Sequence, residues 1–227
     1  MDVSRLIDER HINGFNIRLL VVSFLIILFD GYDITAVAFA GPFLVKEWGI
    51  TNMAALGPVF SASLFGVLFG SPAFGYIGDR YGRKIAVIVS CLTFGGFTLA
   101  CSSAGSVTEL LYLRFLAGIG TGGLLPNIIA LNAEFAPRRI RATMIIVLFT
   151  GITFGGALPG FISATLVPTY GWYVLFLLGG IAPIAIGTVA SIAIARLFGA
   201  SFEDDGISAP QPAPLAQPAF GKLGAGV

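Results

Sequence analysis

Six apolar runs, each close to or above the roughly 20 residues that a helix needs to cross hydrocarbon, leave this chain few ways to fold. They cover about Leu19–Ala40, Ala54–Gly78, Ile85–Cys101, Thr108–Ala133, Ala142–Val167 and Trp172–Phe198, the third being the shortest. Composition agrees, since 56% of the residues are hydrophobic and only 11% charged. Such a chain reads as an all-α membrane protein rather than a soluble core. The expected organisation is an amphipathic cytoplasmic lead-in over residues 1–18, a six-helix transmembrane domain over 19–198, and a disordered tail over 199–227, acidic and then rich in Pro and Ala.

Charge sets the expected orientation. Arg5, Arg10 and Arg18 precede the first run, Arg80, Arg83 and Lys84 separate the second from the third, Arg138, Arg139 and Arg141 separate the fourth from the fifth, and Arg196 closes the sixth. The opposite loops carry one cation, Lys46. By the positive-inside rule both termini are cytoplasmic. Asp2, Arg5, Asp8, Glu9, Arg10 and His11 stand where a signal peptide would have its short apolar region, so the first run is expected to stay as an anchor.

A net charge of +1 makes no case for nucleic acid. Cys91 and Cys101 would lie about 15 Å apart along one helix, too far for a disulfide within it, and read as small packing residues. His11 has no second His or Cys beside it, so no metal site is expected. No nucleophile, base and orienting group stand together either, and the chain is not expected to be an enzyme.

Two acids break the first run. Asp30 and Asp33, within Phe29-Asp30-Gly31-Tyr32-Asp33, are three residues apart and share a helix face. Charge at mid-bilayer is expensive, so such residues mark a partner, a cavity or an ion path. Counting from Arg18 at 1.5 Å per residue puts Asp30 roughly 18 Å and Asp33 about 22 Å deep. Arg114, on a helix running the other way, falls roughly 21 Å from the same side. Acids and base share a level.

Glycines crowd the fourth run at Gly118, Gly120, Gly122 and Gly123, and the fifth at Gly151, Gly155, Gly156 and Gly160. Close helix packing explains them, and smooth contacts on which helices rock during a transport cycle are the functional alternative. Pro42, Pro126, Pro159 and Pro183 suggest kinks around a central cavity. Asp30 precedes Pro42, and Arg114 precedes Pro126, by the same interval, which hints that spans one to three and four to six are related units.

The loop Gly75-Tyr-Ile-Gly-Asp79-Arg80-Tyr-Gly82-Arg83-Lys84 combines glycines that permit a tight reversal with an acid amid bases. As a bare charge cluster it is a topology anchor. Its spacing resembles the G-x-x-x-D-R-x-G-R-(R/K) signature of the major facilitator superfamily. Glu134-Phe-Ala-Pro-Arg-Arg-Ile-Arg141 is similar to that family's E-x6-R element, whose charges pair with the earlier loop, and Arg114-Phe-Leu-Ala-Gly118-Ile-Gly120 to its R-x-x-x-G-x-G pattern.

Within the superfamily, Asp30-Gly31-Tyr32-Asp33, Glu47-Trp48-Gly49, Leu125-Pro126-Asn127 and Glu134-Phe-Ala-Pro137 look like the aromatic acid:proton symporters. The resemblance covers residues 16 to about 196 and implies one half of a twelve-helix fold, built of two three-helix repeats. It further implies import of benzoate-, hydroxybenzoate- or protocatechuate-type anions across a bacterial inner membrane, with a proton gradient as energy source and no cofactor.

On that reading Arg114 pairs with one aspartate or takes the substrate carboxylate, while the other aspartate picks up a proton. A structural ion-pair cluster is the alternative. Gly75, Asp79, Arg80, Gly82, Arg83, Lys84, Glu134 and Arg141 would form a cytoplasmic gate, and Gly118, Gly120, Gly122, Gly151, Gly155 and Pro126 the packing and hinge positions. Phe24, Phe29, Tyr32 and Phe39 are read as packing against helices or lipid rather than stacking on substrate.

The tail departs from the family, having neither the usual linker nor further helices. A truncated gene product or an isolated half is expected, with a second half-transporter or a second copy as partner in the bilayer. Without one, Asp30, Asp33 and Arg114 would face lipid. Transport of another organic acid or a sugar, or a non-transporting scaffold, are the competing functions.

Overall fold

The computed structural model describes residues 14–204; the expected lead-in up to residue 13 and tail from residue 205 lie outside the described residues. Nearly all of the described chain is helix: α1 (Gly14–Glu47), α2 (Gly57–Tyr81), α3 (Arg83–Cys101), α4 (Val107–Phe135), α5 (Arg138–Thr165) and α6 (Tyr173–Asp204), with a 3-10 turn at Met53–Leu56 and one helical turn at Val167–Tyr170. Five of them, α1 to α5, are long and apolar enough to cross a membrane, while the corresponding stretch of α6 within the described residues, Tyr173–Val189, is shorter. The protein is a multi-pass membrane protein. Two compact units divide the chain, Met1–Ala193 and Ile194–Val227; of the second, the helical backbone reaches Asp204.

Helix ends lie beyond the apolar runs. α1 passes through Pro42 and stops only at Glu47, where Gly49 at φ +62° turns the chain and the Ile50 N–H bonds the Val45 carbonyl at 3.0 Å. That bond is the outer one of a glycine-terminated helix cap, so Glu47-Trp48-Gly49 closes α1. α6 likewise continues past Phe198 to Asp204. Helix ends depend on where backbone groups find partners, not on where hydropathy falls.

Glycine decides which helices touch. α2 packs along α4, α1 along α5, and α3 along α4. A side chain at Gly66 or Gly70 of α2 would run into the α4 backbone at Phe115 to Ile119, and one at Gly118 or Gly122 of α4 into the α2 backbone. Gly31 of α1 and Gly155 of α5 press in the same way on the backbones at Ile152 and Leu28. With no hydrophobic drive between helices in lipid, such close approach supplies the packing. Hydroxyls on the small faces add bonds across it: Ser71 donates to the Gly122 carbonyl at 2.9 Å and Thr35 to that of Gly156 at 2.9 Å. Outward faces stay apolar, with Leu64, Phe65, Leu68 and Phe69 on α2 and Phe154 and Phe161 on α5 exposed.

Two apolar clusters fill the interior. One joins Val37, Ala40 and Leu44 of α1 to Leu56, Val59, Cys101, Leu110, Leu175 and Phe176. The other joins Ile26 and Ile27 of α1 to Val87, Cys91, Phe94, Leu124, Ile128 and Leu148. On α1, α3 and α4 alike the polar residues Asp30 and Asp33, Thr98, and Arg114 fall between the two.

Gly155→Val and Gly66→Val should each cost about 1–3 kcal/mol of stability through overpacking. Gly96→Ala, whose Cβ meets nothing within 4 Å, should cost nothing. Thermal unfolding in detergent, read by a thiol-reactive fluorophore reaching the buried free Cys91 and Cys101, checks both.

Candidate functional site

α1 and α4 run in opposite directions, and their charged positions meet at the waist between the apolar clusters. Arg114 Nη1 donates to Asp33 Oδ1 at 2.6 Å and Nη2 to Asp33 Oδ2 at 2.8 Å, a two-toothed pairing of guanidinium and carboxylate. Nη2 also approaches the Asp33 carbonyl at 3.4 Å, and Thr98 of α3 donates to Asp33 Oδ1 at 3.5 Å. The guanidinium carbon lies 6.0 Å from the Phe176 ring centre of α6, within cation–π reach. Asp30, Asp33 and Arg114 are exposed by only 6%, 4% and 2%.

Asp30 does not share the pair. Its Oδ1 is buried with no hydrogen-bond partner, as is Nε of Arg114. The expectation that Arg114 meets one aspartate thus resolves to Asp33. The expectation that a second half is needed to cover these charges is corrected, because α1, α3, α4 and α6 of this chain enclose them. Hydropathy counting could not foresee this, since it gives depth but not the rotation of each helix. Tyr32 is set by packing, as expected: it is buried and donates to the Leu175 carbonyl at 2.9 Å.

A second polar cluster sits at the end of the bundle that holds the α2–α3 turn. Gly82 makes that turn at φ +96°, a conformation that suits glycine. Arg83, the first residue of α3, is the hub. It bonds Asp79 one turn back, lies 3.7 Å from Glu134 at the end of α4, and donates to Asn127 Oδ1 at 3.3 Å. Asn127 is fully buried and donates to the Phe74 carbonyl of α2 at 3.2 Å and to Gly123 of its own helix at 2.8 Å. Arg80 turns outward, donating to the Tyr76 hydroxyl at 2.6 Å and lying over the Tyr76 and Tyr81 rings. Lys84 follows Arg83 in the first turn of α3.

Two gate expectations change. Gly75 has open space where a Cβ would go, whereas at Gly78 a Cβ would overlap the Asn127 amide. The glycine that the cluster requires is therefore Gly78, together with Gly82 at the turn. Arg141 does not pair with the α2–α3 loop; it reaches the Ala136 carbonyl at 3.4 Å. Ala136 caps α4, whose carbonyl end favours a cation. Glu134 and Asn127 both link α4 to Arg83. A Cβ at Gly118 or Gly122 would meet the α2 backbone, one at Gly155 the α1 backbone, one at Gly120 Phe94 and one at Gly151 Phe24. Pro126 sits inside an unbroken α4.

Asn127, Thr98 and Phe176 are the site residues that the sequence did not single out on chemical grounds. A polar side chain inside an apolar run was the available signal for the first two. Phe176 had none. No group of three His, Cys, Asp or Glu that could hold a metal occurs among the described residues.

Tightly packed spanning helices around a buried ion pair, with a charged cluster at one end, define a polytopic membrane protein. The chain belongs to the Major Facilitator Superfamily, whose family profile matches residues 23–223. It is 40% identical over 85% of its length to the 4-hydroxybenzoate transporter PcaK of Pseudomonas putida, of which it covers 43%. It is 41% identical over 82% of its length to a gallate transporter of the same organism, covering 41% of it, and 38% identical over 80% to a benzoate transport protein of Acinetobacter baylyi, covering 40%. The chain thus spans about two fifths of the length of these relatives. The partially occluded, inward-open xylose transporter XylE of E. coli shares the fold at TM-score 0.69 and 20% identity, over 78% of this chain and 49% of that one. A bacterial homologue of the lysosomal transporter Spinster does so at 0.69 and 20% over 80% and 43%. Family and fold make this a transporter-family protein rather than an enzyme.

Asp33→Asn or Arg114→Leu alone should destabilise the bundle by about 3–5 kcal/mol, because each leaves one charge buried without its partner. Asp33→Leu combined with Arg114→Met should lie much nearer to the wild type. Denaturant titration of the purified variants measures the difference.

Proposed function

We propose that this chain serves proton-coupled import of aromatic acid anions across a bacterial inner membrane, as a six-helix half of a twelve-helix permease. The observation that carries the reading is the Asp33–Arg114 fork at the waist, with the unpartnered carboxyl of Asp30 one turn away. A guanidinium fork fits any carboxylate, so an aromatic acid anion competes with Asp33 for Arg114. Phe176 beside Arg114 offers a ring edge or face to the substrate's own ring. Once displaced, Asp33 is an unpaired charge in a low-dielectric layer, and neutralising it or Asp30 by a proton is the economical outcome. One proton then accompanies one anion. The names of the relatives, which include 4-hydroxybenzoate, gallate and benzoate transporters, support the substrate class.

The remaining parts of the reading have their own support. Pairing of α1 with α5 and of α2 with α4 is what an exchange of helices one to three with four to six would produce, and so favours two three-helix repeats with α6 as the sixth span. Arg80, Arg83, Lys84, Arg139 and Arg141 at one end against Lys46 at the other favour a cytoplasmic location for the gate and for both termini. Arg83 with Asp79, Glu134 and Asn127 would hold that side closed, and Pro126 with the α4 and α5 glycines would let it rock. The exposed apolar faces of α2 and α5 suit lipid, a second half or a second copy.

Uptake of radiolabelled 4-hydroxybenzoate into proteoliposomes carrying the chain, driven by an imposed pH gradient, tests this. Accumulation should need the gradient and should fall to the level of protein-free liposomes in Asp33→Asn and Asp30→Asn. Full gradient-driven accumulation in both variants would refute the coupling.

A further inference from the structure

Buried polar side chains descend α1 in seven-residue steps: Asn16, Ser23 and Asp30. Seven residues fall about 20° short of two full turns, so the three share one face, and each step covers about 10.5 Å. A side chain of α4 meets this face at its middle step. Asn132 Nδ2 donates to Ser23 Oγ at 2.8 Å and to the Ile128 carbonyl of its own helix at 2.9 Å. Asn132 is 1% exposed and Ser23 is 3% exposed.

Two buried acceptors have no partner, Asn132 Oδ1 at this contact and Asp30 Oδ1 one step further along α1. Buried acceptors are nearly always bonded, and water serves where protein does not. Apolar packing would have been served by alanine or leucine at both positions. A serine held by a dedicated asparagine, below an orphaned carboxyl and above a further buried asparagine, is instead a string of exchangeable groups.

We infer that Ser23, held by Asn132, is the relay through which Asp30 exchanges its proton with the end of the bundle that carries Asn16 and the Gly82 turn. The inference takes Asp30 as a proton-carrying group from the function proposed above. Asn132 occupies one lone pair of the serine oxygen and leaves the other lone pair and the O–H free. A hydronium on the Asn16 side gives its proton to Ser23 Oγ while the serine's own proton passes to water on the Asp30 side. Because the rise between Ser23 and Asp30 is about 10.5 Å, that water hands a proton on through further waters to Asp30 Oδ1. One hydronium becomes water, one carboxylate becomes a carboxylic acid, and Ser23 is unchanged.

The other ionisable groups near Asp30 are Asp33 on its own helix, the Cys91 thiol of α3, and Arg114 of α4, which is engaged with Asp33. Between Ala142 and Val189, α5 and α6 bring no charged side chain. Asn127 points to Phe74 and Arg83 and belongs to the charged cluster around Arg83, not to this string.

The test reads protonation and not transport. The purified chain in lipid nanodiscs is subjected to a pH jump while infrared absorption follows the protonated-carboxyl band, assigned to Asp30 by its loss in Asp30→Asn. Ser23→Val and Ser23→Thr have nearly the same shape and differ in the hydroxyl. Ser23→Val should slow the band's response about a hundredfold, the lower end of what a positioned proton-transfer group contributes. Ser23→Thr should stay near the wild-type rate, and the equilibrium amplitude should be unchanged in both. Asn132→Leu, which removes the group holding the hydroxyl, should slow the response in the same direction. Equal rates in the valine and threonine variants, or no exchanging Asp30 band in the wild type, would overturn the relay. Normal exchange by this route with no uptake of 4-hydroxybenzoate would refute the transport reading and leave the relay standing.

Discussion

The pairing of Asp33 with Arg114 is the constraint around which the rest of the bundle is arranged. Either charge alone in a layer bounded above and below by apolar clusters would be strongly unfavourable, so α1 and α4 can pack only in the rotation that brings the two together. That rotation also fixes what surrounds them. Thr98 comes in from α3 and Phe176 from α6, and Asp30 turns onto the same buried side without a partner. The glycines follow from the same demand, because an ion pair with 2.6 and 2.8 Å contacts needs helix backbones close enough for side chains of fixed length to reach.

α4 ties the waist to the charged cluster around Arg83. Arg114 stands in its first half, Asn127 and Asn132 in its second, and Glu134 at its end. Its small residues press on α2 at Gly118 and Gly122 and on α3 at Gly120. A change in charge at Arg114 therefore acts on the helix that also holds Asn127 against Arg83. A shift of α4 against α2 or α3 would move the waist and the charged cluster at the end together.

Much of the site was legible because the physics that places it is one-dimensional. Asp30, Asp33 and Arg114 stand out in apolar runs, and rise per residue alone puts them at one depth. Arg83 and Glu134 stand out in loops by charge. What escaped was whatever depends on azimuth. Gly75 and Gly78 lie only about 60° apart around α2 and about 4.5 Å apart along it, yet one faces open space while the other faces Asn127. Arg141 has the right charge for the loop but sits a turn into α5, where the end of α4 is nearer. Phe176 looks like any other aromatic in a spanning run until α6 turns it toward Arg114.

By itself, the sequence determined that the chain lives in a bilayer, where its helices run, and which charges lie within it, because burial in hydrocarbon is a matter of hydropathy, length and count. It also carried the family, since loop spacing and the acidic pair survive as a pattern of letters. Only the tertiary structure decided that Arg114 takes Asp33 and not Asp30, that the chain's own helices cover the pair, and that Ser23 and Asn132 meet beneath it. Those outcomes depend on helix rotation and on contacts between residues far apart in the chain. Glycine-mediated backbone contact settles them, and no single helix can specify it alone.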